Sequence, residues 1–252
     1  METLFVVDYM TYTPFEIFTP MHLLTIAITL GLALFIPLAF LGRREETRYI
    51  AGVSIAVVIV YHMMRQTVDT PSFGYPWQQA LPLHMCDLSS IAIAVYLVSR
   101  QRIYFVIGYF WGIGGATMAI FQPDLQYFYP HITYVPFFVS HGLILLGVFY
   151  ALIALHERPV ARDILTTIGI TICAALILYP INLFLGENAN FWYLTAKPQG
   201  LNLMTFFPEP PFHLVPIVPL VIFVFCLLYL PFGIRDYIAQ NRLGVFLKKL
   251  RT

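Results

Sequence analysis

The sequence predicts an all-α protein, a polytopic helical bundle that crosses a membrane seven times with its N-terminus outside and its C-terminus in the cytoplasm. Three observations predict it. Hydrophobic residues make up 59% of the 252-residue chain and charged residues only 11%, whereas a soluble domain carries about a quarter charged residues. Seven stretches each supply the roughly 20 mostly apolar residues that a span needs. The basic residues also alternate along the chain. All lysines and arginines except Arg65 and Lys197 fall within 42–48, 100–102, 156–162 and 235–251, and the segments 1–18, 69–80, 122–133 and 186–211 are nearly free of positive charge. The positive-inside rule then places the basic segments in the cytoplasm.

The first span, near 20–41, follows an acidic segment with Glu2, Asp8 and Glu16. That segment lacks the basic start of a signal peptide. The second, near 48–68, holds Arg65, the one arginine inside a span and away from its ends. The third, near 82–99, opens on polar groups, with Pro82 suited to a first helical turn because its missing N–H costs nothing there. The fourth, near 102–121, contains Trp111-Gly112-Ile113-Gly114-Gly115; small residues let membrane helices approach closely. The fifth runs near 134–155, the sixth near 163–185 and the seventh near 212–234. Odd-numbered spans run inward, so the seventh delivers the basic tail with Arg235, Arg242, Lys248, Lys249 and Arg251 to the cytoplasm, in agreement with its charge. Residues 1–252 read as a single integral membrane domain without repeats or linkers. A net charge of +1 and the absence of any basic patch away from the membrane-flanking loops give no sign of nucleic-acid binding.

The outer loops at 69–82, 122–133 and 186–211 are rich in Pro, Tyr, Phe and Trp. One reading is an aromatic belt at the membrane–water interface. The other is that 186–211 folds back as a lid over the outer end of the bundle.

Polar groups converge at that outer end. Six of the seven histidines map there: His22, His62, His84, His131, His141 and His213, leaving only His156 inside. Arg65, Asp69, Asp87, Asp124, Asn182, Asn190 and Lys197 map there too. Ionisable groups at membrane depth cost several kcal/mol and usually face a cavity or mark function. His62, Arg65, Gln66 and Asp69 share one helical face. Arg65 reads either as part of a structural network with Asp69, Asp87 or Asp124, or as the anchor of a phosphate.

The segment Leu81-Pro82-Leu83-His84-Met85-Cys86-Asp87-Leu88-Ser89-Ser90 is the second concentration of polar groups. Cys86 near the start of a helix sits where a thiolate is favoured. Cys173 and Cys226 lie in apolar stretches and read as small hydrophobes. His84, two residues from Cys86, would point to the opposite face if both were helical. His141, early in the fifth span, lies at a similar depth and is the better base. A histidine-activated cysteine suits acyl transfer through a thioester. Asp124 could orient an imidazole or bind a head group.

These residues resemble the YwaF-type integral membrane proteins of bacteria, whose eukaryotic relatives are the transmembrane-protein-164 acyltransferases. LPLHMC at 81–86, WGIGGATMAIFQPDL at 111–125, FFVSH at 137–141, and Asn182 followed by NFWYLTAKP at 190–198 carry the resemblance. It covers nearly the whole chain. Phe191-Trp192 after Asn190 departs from the Tyr usual there. The resemblance implies acyl transfer on phospholipid or lysophospholipid, with Cys86 as nucleophile and His141 as base. His62, Arg65, Asn182, Asn190 and Lys197 are the expected substrate-binding groups, and no cofactor is implied. The chain lacks both the His-x4-Asp motif of glycerolipid acyltransferases and a His-Glu-x-x-His zinc motif.

A second class competes with this: a transporter or receptor-like binding protein whose outer histidines hold a metal, haem or proton. The inner loops are short, leaving little for a cytoplasmic partner. No internal repeat and no polar trail to the inner half favour transport. Membrane lipids are the expected partners and the cell membrane the expected location, with the active site on its outer side.

Overall fold

The structure is a computed structural model that describes residues 12–72, 74–198 and 203–249. Seven helices follow one another: α1 Pro20–Leu38, α2 Glu45–Ser72, α3 Met85–Ser99, α4 Arg102–Phe121, α5 Tyr134–Ile153, α6 Ala161–Leu185 and α7 Leu214–Lys249. All seven are long and apolar enough to cross a membrane, α3 together with the short turn Trp77–Ala80 before it. The described residues contain no strand, only an isolated antiparallel bridge from Pro14 to Tyr127. The protein is therefore a multi-pass membrane bundle, as the hydropathy pattern predicts.

The core sits where α3, α4 and α5 meet, with α2 against α3 and α5 and with α1 against α5. Ile93, Leu97, Phe105, Phe110, Leu145 and Val148 are fully buried there. The polar backbone of each helix is satisfied internally, so lipid can face the remaining surfaces. α6 and α7 lie on the flank of α4 and expose large apolar side chains such as Leu165, Leu176, Phe184 and Phe223.

The α4 glycines set the closeness of this packing. A Cβ on Gly108 would lie 3.1 Å from Ile93 Cβ, and one on Gly112 would lie 2.9 Å from Ile144 Cγ2. The Trp-Gly-Ile-Gly-Gly run is thus a seam for α3 and α5, as its small residues suggest.

Several helix ends shift by two to four residues from the sequence expectation, and three differences have a clear physical reason. α2 begins three residues earlier, with Glu45 and Glu46 in its first turn where carboxylates suit the helix dipole. α7 continues to Lys249, since no proline follows Arg235 to break it and Ala239, Gln240, Arg242, Leu243 and Leu247 are good helix formers. Its 36 residues span about 54 Å, well beyond the hydrocarbon thickness. α3 begins at Met85, so Pro82 lies ahead of the helix rather than in its first turn. The Asp87 carboxylate explains the start: it accepts the His84 N–H at 3.0 Å, making His84 the N-cap.

Candidate active site

With His84 as N-cap, Met85, Cys86 and Asp87 form the first turn of α3. Cys86 is a free, half-buried thiol. Its backbone N–H is one of those a helix start leaves without an intrahelical acceptor. His84 is extended (φ −66°, ψ 155°), so the opposite-face objection to it does not apply to this geometry.

The position of Cys86 relative to α5 follows from the α4 glycines. A Cβ on Gly112 would meet Ile144, Val148 and, at 3.9 Å, Ser89, so α3, α4 and α5 converge at that level. One turn further along α4, a Cβ on Gly115 would stand 3.7 Å from Cys86 Sγ. Cys86 precedes Ser89 by three residues, Gly115 follows Gly112 by three, and His141 precedes Ile144 by three. Three residues rise about 4.5 Å and keep nearly the same face. Because α4 runs opposite to α3 and α5, all three steps lead toward the histidine-rich end. Cys86, Gly115 and His141 share one layer.

His141 is buried, and its Nδ1 lies 2.7 Å from the Phe137 carbonyl. A carbonyl can only accept, so Nδ1 carries the proton and Nε2 keeps its lone pair. Phe137 also packs on the imidazole, with ring centroids 4.4 Å apart. His62 lies within electrostatic reach of His141, and its Nε2 donates to the Pro136 carbonyl at 3.1 Å. Among the described residues no hydrogen bond joins Cys86 to a histidine.

On the other flank of Cys86 stand His84, Asp124 and Tyr193. Asp124 acts electrostatically on both His84 and Tyr193, and Cys86 acts on Tyr193. Above them lies the first part of the long loop, packed into the bundle. Asn182 on α6 bonds both main-chain groups of Phe191, and Phe191 stacks edge-on against His84 at 4.9 Å. Trp192 Nε1 donates to the Leu83 carbonyl at 3.1 Å, and its ring meets Trp111. His213 Nε2 donates to the Tyr193 carbonyl at 2.8 Å. Ala189, Phe191 and Leu194 are buried. This half of the loop is the lid alternative, not a surface belt.

The remaining expected residues are engaged with the protein itself. Asn190 Oδ1 accepts from Thr195 and from the Ala196 N–H, and its Nδ2 donates to the Ala196 carbonyl. Lys197 donates to the Phe207 carbonyl and to Glu209. Arg65 donates twice to Asp69 Oδ2, at 3.2 and 2.9 Å, on a largely exposed face of α2. His22 is saturated, accepting from the Phe18 N–H and donating to the Ile120 carbonyl. Among the described residues no three His, Cys, Asp or Glu side chains converge to hold a metal ion.

Tyr193 and His213 do not emerge as a pair from sequence. His213 is visible as one more outer histidine, and Tyr193 as one aromatic in the Asn190 block. Nothing in their spacing, twenty residues apart, signals the bond between them.

An uncharacterized protein of Treponema pallidum (strain Nichols) is 28% identical over 233 residues, covering 88% of this chain and 90% of its own length. No solved structure matches the chain. A family model described as the TMEM164 family matches residues 17–229, spanning the first six helices and the first 16 residues of α7, and the chain belongs to that family.

Proposed function

We propose that this protein is an intramembrane acyl-transfer enzyme, acting on phospholipid or lysophospholipid at the outer side of the cell membrane, with Cys86 as nucleophile and His141 as base. The observation that carries this reading is the shared layer: a thiol in the first turn of a helix, level with an imidazole whose Nε2 is left basic.

The chemistry follows from those groups. His141 Nε2 takes the thiol proton as Cys86 Sγ attacks an acyl ester. A C–S bond forms, the ester C–O bond breaks, and the proton passes to the departing alcohol oxygen. In the second half an acceptor hydroxyl gives its proton to the imidazole and attacks the thioester. The new C–O bond forms, the C–S bond breaks, and the proton returns to sulfur. The lid over His84 and Cys86 limits water, which would otherwise hydrolyse the thioester. Arg65, exposed at the same end, offers its charge to a lipid phosphate.

A specific observation favours His84 as an alternative base. Its extended N-cap backbone removes the helical spacing that set it opposite Cys86, and Asp124 stands within electrostatic reach to stabilise an imidazolium. The transporter or binding-protein reading keeps less support, since the outer histidines are dispersed over separate backbone partners.

Intact-protein mass spectrometry after incubation with phospholipid tests the proposal. Wild type should gain a hydroxylamine-sensitive acyl adduct that Cys86→Ala lacks. A Cys86→Ala protein that retains acyl transfer would overturn it.

A further inference from the structure

Three consecutive lid residues are each fixed by a different element. Phe191 is held through its main chain by Asn182 of α6, Trp192 through its indole by the Leu83 carbonyl ahead of α3, and Tyr193 through its carbonyl by His213 ahead of α7. Within that strap Trp192 and Tyr193 both adopt left-handed backbone, with φ of 59° and 52°. Neither is glycine, so each position is strained. Such strain persists only where the surroundings over-determine it, and it gathers at functional sites.

The strain aims one group. Tyr193 is half-buried, yet its hydroxyl makes no hydrogen bond among the described residues. Asp124 and Cys86 lie within electrostatic reach of it. Burial first, then Asp124 and Cys86, push its phenol up to about 12, so the proton stays on oxygen at physiological pH. A donor on an anchored main chain, unpartnered and within electrostatic reach of the nucleophile, is what a developing oxyanion requires.

Resting on the acyl-transfer reading above, we infer that the Tyr193 hydroxyl donates a hydrogen bond to the acyl carbonyl oxygen of the lipid ester as Cys86 Sγ attacks it. When the C–S bond forms, the carbonyl π pair moves onto that oxygen, and the phenol stabilises it without giving up its proton. The pair returns as the ester C–O bond breaks. Tyr193 is then a catalytic residue, and the strap around it is its mount.

The test is single-turnover acylation of purified protein by a phospholipid, followed by mass spectrometry. Wild type should acylate on Cys86. Tyr193→Phe keeps the main-chain bond to His213 and should acylate about 10²-fold more slowly, the usual effect of losing one oxyanion donor. A thionoester lipid, whose sulfur is a poor acceptor, should be penalised in wild type and much less so in Tyr193→Phe. Should the phenylalanine variant fail to fold, 3-fluorotyrosine at 193 preserves the shape. Its acylation should fail at a lower alkaline pH than wild type, because a phenolate cannot donate. Wild-type acylation rates in Tyr193→Phe, or an unmoved alkaline limit with fluorotyrosine, would overturn the role of Tyr193 while leaving Cys86 as nucleophile. No adduct on wild type would overturn the acyl-transfer reading itself and this inference with it.

Discussion

Asn182 grips Phe191 at both main-chain groups, donating to its carbonyl and accepting its N–H, each at 2.9 Å. The amide substitutes for the partner that a strand would otherwise provide, nine residues away and inside a membrane protein. Phe191 is only 1% exposed, so water cannot replace either bond. Asn182→Leu should strand both groups at about 1–3 kcal/mol each. The expected result is proteolytic cleavage within 186–198 under conditions where wild type is intact, with the seven helices still formed. Equal protease resistance in the variant would show that the strap does not depend on Asn182.

Seven spans were legible in the sequence because each is a long apolar run, and their order and number survive in the structure. What the periodicity could not show was where α3 begins. Pro82 looks like a first-turn residue, but the bond from His84 N–H to the Asp87 carboxylate moves the start to Met85. Likewise Cys86, His84, His141 and Asp124 stood out as polar or reactive groups in apolar surroundings. The partners of Asn182, Asn190 and Lys197 did not, since a residue that organises a loop and one that binds substrate look the same in one dimension. Only the fold shows that their hydrogen-bonding capacity is spent on backbone and on Glu209.

The two histidines proposed as base for Cys86 make separable predictions. His141 is held in one tautomer by the Phe137 carbonyl, which suits a base. His141→Gln should slow Cys86 acylation by about 10²–10⁴-fold, the range for loss of a general base. His84→Gln should have a much smaller effect. Rates of thioester formation for the two variants, measured side by side, decide the matter. The reverse ranking would make His84 the base.

Gly112 and Gly115 lie one turn apart on the same face of α4, yet a methyl group should act differently at each. At Gly112 it would meet Ile144 Cγ2 at 2.9 Å and Val148 Cγ2 at 3.4 Å, in a core without room to shift. Gly112→Ala should cost about 1–3 kcal/mol through overpacking. At Gly115 the nearest atom is Cys86 Sγ at 3.7 Å, an ordinary contact. Gly115→Ala should leave the melting temperature near wild type while slowing alkylation of Cys86 by a thiol reagent. Thermal unfolding in detergent and alkylation rates read the two effects independently. A Gly115→Ala protein alkylated at the wild-type rate would contradict the placement of Cys86 against α4.

Arg65 and Asp69 form an exposed pair, one turn apart on α2. Pairs of this kind contribute little to stability. Arg65→Gln should therefore melt like wild type. If the guanidinium serves a lipid phosphate, the same variant should raise KM for phospholipid with kcat preserved, and added salt should weaken wild type more than the variant. A variant with unchanged KM would assign Arg65 to the surface alone.

The opposite end of the bundle is joined by Arg102, which reaches Asp163 at 2.6 Å, the Arg158 carbonyl at 3.1 Å and Glu157 at 3.4 Å. These contacts tie the start of α4 to the start of α6 and to the turn between α5 and α6. Arg158 extends the set to Asp236 on α7. α6 and α7 bury few side chains against the rest, so this network is a main connection holding them in place. The Asp163 side chain is 6% exposed, whereas that of Arg102 is 37% exposed. Removing the arginine leaves a buried carboxylate with only the Val160 N–H and its own helix start for support. Arg102→Ala should therefore cost toward the lower end of the about 3–5 kcal/mol seen when a buried pair loses one partner. Asp163→Asn in the same background should recover part of it, because the stranded charge is gone while the Val160 bond survives. A double-mutant cycle on thermal unfolding in detergent measures this. Additive losses from the two substitutions would show that Arg102 and Asp163 do not support one another.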